Sequence, residues 1–156
     1  MAQKPQVLFI CTGNSARSQM AEAFLRHYAG DYFDVQSAGL EPAGINPYTI
    51  RVMDEIGYDL SSHRSKSLRE FMGYTHSRYV ITVCGKADAS CPRGLWSSGE
   101  KLHWPFEDPA AFQGSDADKL ARFREVRDQI EQRILTWLQE IDLQPQTNGQ
   151  TTRTTA

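Results

Sequence analysis

The chain has few cysteines, no long apolar run and almost no charge imbalance, and each shortage removes a class of function. Three cysteines in 156 residues are too few, and odd in number, for a secreted disulfide scaffold. Cys-x-x-Cys is missing, as is any histidine pair at helical spacing, so no metal site is expected. No apolar stretch approaches the roughly 18 residues of a membrane span. Met1–Gln6 lacks the charged start and apolar core of a signal peptide. A formal net charge of −2 argues against the clustered lysines and arginines that nucleic acid or an anionic membrane would select. The expectation is a cytoplasmic protein that binds neither nucleic acid nor membrane. In that reducing compartment a disulfide is more often transient and catalytic than structural.

What is present fits one compact domain with its own core. Gln6–Cys11 (QVLFIC) is a short apolar run that suits a strand buried on both faces of a parallel sheet. A turn cluster follows, then a helix from about Ser18, with Ala21, Phe24, Leu25 and Tyr28 on one face and Gly30 as its stop. Phe33–Ala38 alternates as a second strand. Asn46 and Pro47 open a second helix, which runs to about Ile56 and ends at Gly57. A short helix is expected over Ser67–Met72 and a third strand over Arg78–Cys84. Residues 85–100 read as a mobile loop, and Leu102–Phe106 as a fourth strand. Ser115 or Asp116 caps a long final helix whose inner face carries Leu120, Phe123, Val126, Ile130, Ile134, Trp137 and Ile141. Strands alternating with helices indicate an α/β fold with a parallel sheet. The domain is expected over residues 1–142, with the polar stretch 143–156 disordered.

The segment Cys11-Thr12-Gly13-Asn14-Ser15-Ala16-Arg17-Ser18 lies between a buried strand and a helix start. A loop there aims several backbone N–H groups at one point, and the helix N-terminus adds positive potential. Gly13 and Asn14 tolerate the positive φ of a tight anion nest. Arg17 is spaced to fold back and grip two oxygens of a tetrahedral anion. Cys11 then sits beneath that anion, in surroundings that favour the nucleophilic thiolate. The hydroxyls of Ser15 and Ser18 are placed to donate to that sulfur or to brace the loop.

A thiolate attacking such an anion needs the leaving oxygen protonated. Asp108, followed by the rigid Pro109, is the expected acid, and Glu107 is the alternative. Cys84 closes the third strand and Cys91 follows seven residues later. One reading makes them a buried core thiol and an incidental one. The other makes them a relay: Cys84 attacks the sulfur of a Cys11 adduct, and Cys91 then attacks Cys84. A relay reduces the bound centre, which suits arsenate and not phosphate.

These stretches, VLFICTGNSARSQMAEAF, SAGLEPAGINP, ITVCGKADASCP and HWPFEDPAAFQG, resemble the thioredoxin-coupled arsenate reductases, which share the fold of low-molecular-weight protein tyrosine phosphatases. The resemblance spans roughly residues 5–140. It implies a four-stranded parallel sheet with helices on both faces. It also implies Cys11 as nucleophile, Arg17 as oxyanion binder, Asp108 as acid, Cys84 and Cys91 as the redox pair, and a thioredoxin-like reductant in place of a bound cofactor. Phosphate and sulfate are the expected analogues of arsenate, and a monomer is expected. Some relatives carry a cysteine where Ala16 stands, which the relay does not need. Some bind potassium through positions matching Asn14, Glu22, Ser37 and an aspartate. Here Lys66 takes the aspartate's place, so no potassium is expected.

Two rivals compete. A phosphatase would use the same loop and acid with water as the second nucleophile; Ala110 and Ala111, where a tyrosine commonly follows Asp-Pro, point instead to a small inorganic ion. A non-enzymatic oxyanion sensor has no use for a general acid. His27, His63, His76 and His103 read as surface or satisfied polar residues, and Trp104 and Trp137 as core. Trp96 falls within the cysteine-bearing loop. Arg122, Arg124, Arg127 and Arg133 read as the solvated face of the last helix.

Overall fold

A computed structural model describes residues 4–72, 76–92 and 99–146. Four strands, β1 (Gln6–Cys11), β2 (Asp34–Gly39), β3 (Tyr79–Thr82) and β4 (Glu100–His103), form one all-parallel sheet in the order β2-β1-β3-β4. The helices are α1 (Arg17–Ala29), α2 (Pro47–Asp54), α3 (Gly85–Ser90) and α4 (Asp116–Glu140). The chain moves from β1 outward to β2, then back past β1 to β3 and β4. Right-handed crossovers therefore put α1 and α3 on opposite sides of the sheet. The reversal creates a crevice beyond the carboxyl ends of β1 and β3, where ligands bind in open α/β sheets. Cys11 ends β1 and Cys84 follows β3, so the topology alone brings both to that crevice.

β1 and β3 are buried along nearly their whole length, as their apolar runs require. The core includes Phe9, Phe24, Ile81, Phe123, Ile130 and Ile134, all at 1% exposure or less. Phe33, Tyr79, Trp104 and Trp137 pack as an aromatic cluster, with centroids 4.9–6.1 Å apart. α2 starts as expected, with the Asn46 side chain accepting from Tyr48 N, and Gly57 turns at φ 89°. The short helix after Lys66 is a 3-10 turn, Leu68–Phe71, closed by a Ser67/Glu70 capping box. Ser115, and not Asp116, caps α4.

Three expectations change. Residues 85–90 form a helix, not loop, because contacts to β3 and β4 hold them; residues 93–98, with Trp96, lie outside the described part. β4 runs over 100–103 instead of 102–106. Its pairing begins opposite Tyr79; past His103 the chain keeps two further bonds, Trp104 N to Thr82 O at 2.8 Å and Phe106 N to Val83 O at 3.4 Å. Arg127 is buried at 7% exposure and not solvated; it donates to Val52 O at 2.8 Å and pairs with Glu55 at 3.1 Å, joining α4 to α2. Of the expected tail, Leu143–Gln146 is described: Leu143 N donates to Leu138 O and Gln146 N to Tyr28 O. Residues 147–156 lie outside the described part.

Candidate active site

The loop after β1 is held from outside by its own carbonyls. Leu40 N donates to Cys11 O, Glu41 N to Thr12 O, Ala43 N and Ser65 Oγ to Gly13 O, Gln19 Nε2 to Asn14 O, and Asn46 N and Thr49 Oγ1 to Ser15 O. In a trans peptide the C=O and the next N–H point opposite ways, and the described peptides are all trans. Turning five successive carbonyls outward turns the amides of Thr12 to Ala16 inward, which builds an anion nest. α1 begins on this loop at Ala16 without a side-chain cap, whereas Asn46 and Ser115 cap α2 and α4. Its first N–H groups are thus available to an anion.

Within residues 11–18 only Asn14 adopts positive φ, 49°; Gly13 does not, so the nest bends at the asparagine. The residue that space demands is Gly39, absent from the sequence expectations. A Cβ there would lie 2.8 Å from both Asn14 N and Thr12 O, so a side chain would push the loop from behind. Nothing in the local pattern of β2 signals this, since the clash is with a segment 25 residues away.

Cys11 is 3% exposed. Its Sγ accepts from Asn14 N at 3.3 Å and lies 2.9 Å from Ser18 Oγ. Asn14 Nδ2 donates to Ser18 Oγ at 2.7 Å, which leaves the serine hydrogen for the cysteine sulfur. Arg17 Nη1 donates to Phe106 O at 3.1 Å and Nη2 lies 3.7 Å from Asp108 Oδ2. Asp108 also accepts from Ala110 N at 3.0 Å. Glu107 turns away to Arg122 at 3.0 Å, so of the two carboxylates only Asp108 faces the loop's arginine. Cys84 lies beside the loop, its Sγ 3.3 Å from Thr12 Oγ1 and accepting from Ala87 N at 3.4 Å. Cys91 lies seven residues beyond Cys84. It caps the opposite end of α3, and no disulfide links the three cysteines.

Behind the loop lies a buried polar network. Asn14 Nδ2 donates to Ser37 Oγ at 2.9 Å, and Ser37 Oγ donates to Glu22 Oε1 at 2.5 Å. Glu22, 2% exposed, is matched by Arg26 at 2.9 Å and Lys66 Nζ at 3.3 Å. Asn14 Oδ1 is occupied by Lys66 N and Gln19 Nε2. The donor set expected for potassium therefore has an ammonium and N–H groups turned into it and does not fit a cation. His63 Nδ1 donates to Gln19 Oε1 at 2.9 Å, and burial holds its pKa below the ordinary value.

Comparison with known proteins agrees with this geometry. The family model described as low molecular weight phosphotyrosine protein phosphatase matches residues 6–147. An arsenate reductase of Halalkalibacterium halodurans is 45% identical over 134 residues, covering 86% of this chain and 95% of the relative. A solved arsenate reductase in a phosphate-binding state superposes with TM-score 0.70 at 32% identity, over 88% of this chain and 98% of that one. A thioredoxin-dependent arsenate reductase of Corynebacterium glutamicum gives 0.67 at 33% identity, over 90% of this chain and 63% of that one. With its nest, arginine and cysteine at the switch point of a 2-1-3-4 parallel sheet, and a family match across almost the whole described chain, the protein belongs to the low molecular weight phosphotyrosine protein phosphatase family.

Proposed function

We propose that this chain reduces arsenate to arsenite with three thiols and is returned to its reduced state by a thioredoxin-class dithiol. The observation that carries the reading is the second thiol at the anion loop: Cys84 Sγ stands 3.3 Å from the hydroxyl of Thr12, the neighbour of Cys11. Hydrolysis of a phosphate ester has no need of it.

Arsenate enters the nest of N–H groups over residues 12–18, and Arg17 leaves Phe106 O to hold two of its oxygens. The Cys11 thiolate, steadied by Ser18 and Asn14 N, forms a sulfur–arsenic bond. Asp108 protonates the departing oxygen, which leaves as water. The Cys84 thiolate then attacks Cys11 Sγ. The sulfur–arsenic bond breaks with its electron pair passing to arsenic, giving arsenite and a Cys11–Cys84 disulfide. The Cys91 thiolate attacks Cys84 Sγ and frees Cys11 as thiolate. The Cys84–Cys91 disulfide accepts two electrons and two protons from the external dithiol. No cofactor or metal enters, and Lys66 replaces a cation beside Glu22. Among the described residues no helix is long and apolar enough to cross a membrane, and a formal net charge of −2 argues against nucleic acid as a partner.

The test is arsenate-dependent NADPH oxidation with thioredoxin and thioredoxin reductase. Sustained turnover by the wild type, with Cys91→Ser stopping after about one equivalent, supports the relay. A second reading, phosphomonoester hydrolysis, is favoured by the complete set of Cys11, Arg17 and Asp108. Brisk ester hydrolysis lost in Cys11→Ser, with no arsenate-dependent oxidation, would establish it in place of the first.

A further inference from the structure

The helix between the redox cysteines has little of its own to hold it. α3 has six residues, starts on Gly85 and buries only Ala87. Helices this short do not persist on backbone hydrogen bonds alone. Its tether is Asp88. Asp88 Oδ1 accepts from Thr82 Oγ1 on β3 at 3.1 Å and from Lys101 Nζ on β4, and lies 3.7 Å from His103 Nδ1. The threonine is itself oriented by His103, whose Nδ1 lies 2.8 Å from Thr82 Oγ1 and 3.2 Å from Thr82 O. The imidazole tautomer with hydrogen on Nδ1 donates to both and leaves the Thr82 hydrogen for Asp88. Lys101 and then burial's opposing effect and Thr82 act on the carboxyl, with the net result that its pKa sits below the ordinary aspartate value. Asp88 and Lys101 are 34% and 24% exposed, so the pair is partly withdrawn from water.

The two cysteines flank this helix as its N-cap and C-cap. Seven steps along a helix carry the chain about 10 Å, whereas the α-carbons of a disulfide lie within about 7 Å. The wound helix therefore keeps Cys91 from Cys84, and forming their bond requires α3 to open. The Asp88 contacts tie the wound helix to β3 and β4.

We propose that Asp88 is a positioning residue for the redox relay: through Thr82, Lys101 and His103 it holds α3 wound, keeps Cys84 at the anion loop, and biases the Cys84–Cys91 pair toward the dithiol. The inference rests on the three-thiol reading above. Its consequence is thermodynamic. Reduction of the disulfide takes two electrons and two protons from the dithiol of the reductant, which becomes a disulfide. The rewound, latched helix makes that transfer more favourable.

The experiment equilibrates the full-length wild type and Asp88→Asn with thioredoxin redox buffers and measures the Cys84–Cys91 disulfide fraction by thiol trapping and mass spectrometry. The variant is expected to shift the equilibrium roughly three- to tenfold toward the disulfide, a potential about 15–30 mV more negative. Amide exchange over residues 85–90 of the reduced variant should rise. Lys101→Met should move the potential in the same direction, and it decides the matter if Asp88→Asn does not fold. Glu100→Gln, on the same strand but paired with Arg78 at 4.0 Å, should leave it unchanged. If the disulfide forms in the wild type but its potential is the same in the folded variants, the latch is overturned. If arsenate produces no Cys84–Cys91 disulfide in the wild type, the relay itself fails and the latch with it.

Discussion

Ser18 and Gly39 act on Cys11 from opposite directions, one by donating a hydrogen and the other by taking up no space. The Ser18 hydroxyl has its acceptor side filled by Asn14, so its hydrogen faces the cysteine sulfur. Hydrogen bonds to charged groups contribute about 1.5–3 kcal/mol. Ser18→Ala is therefore expected to lower kcat/KM for arsenate roughly 10–100-fold, and to lower Tm as well because the buried Asn14 Nδ2 loses its acceptor; unchanged kinetics would remove Ser18 from the chemistry. Gly39→Ala puts a methyl 2.8 Å from two backbone atoms of the loop, which cannot swing aside as a side chain can. Calorimetric titration with phosphate should show affinity at least about tenfold weaker (roughly 1.4 kcal/mol), and wild-type affinity would show that the loop accommodates the methyl. Cys11 and Arg17 were legible from residue type and spacing, because anion binding constrains neighbours in sequence; Asp108 was offered beside Glu107, and the contact with Arg17 is what separates them. Gly39 and the Arg127–Glu55 pair were not, because each answers to a partner more than 20 residues away.

At the level of elements, sequence periodicity located α4 well, since one face buries Leu120, Phe123, Val126, Ile130, Ile134 and Trp137, whereas α1 is buried all round over residues 18–25, Gln19 and Glu22 included. The cap of α4 was readable for the same local reason: Ser115 Oγ accepts from Asp118 N at 3.1 Å. Ser115→Ala is expected to cost about 1 kcal/mol in denaturant unfolding, and a loss below experimental error would mean that water replaces the cap. α3 escaped the pattern because GKADAS has no apolar stripe and is held by side chains from β3 and β4. β4 starts two residues and ends three residues before the expected bounds, and the Trp104 ring just beyond it packs against Phe9 and Trp137 in the core. The first of these misreadings falls on the segment between the redox cysteines. An element that must open during turnover cannot also be strongly specified by local propensity.

For the molecule as a whole, acid should weaken the fold well above the carboxylate range. His27 and His63 both have pKa values held below the ordinary 6.5, chiefly by burial, with Glu131 and Glu22 respectively offsetting part of the effect. The unfolded chain then binds more protons than the folded one just below pH 6.5, so the stability these neutral rings confer is present above that pH and is lost as pH falls through it. Denaturation midpoints should drop between pH 7.5 and pH 5.5, and His63→Asn should flatten the drop; an equal drop in that variant would assign it elsewhere. The central claim, however, is that one folded chain carries both electrons for one arsenate. The direct measurement is a single turnover: reduced enzyme is mixed with excess arsenate without external reductant, arsenite is counted, and the cysteines are mapped by mass spectrometry. The account predicts close to one arsenite per chain, with Cys84 and Cys91 joined and Cys11 returned as a thiol. Three intact thiols and no arsenite, in enzyme that still hydrolyses a phosphate ester, would contradict it.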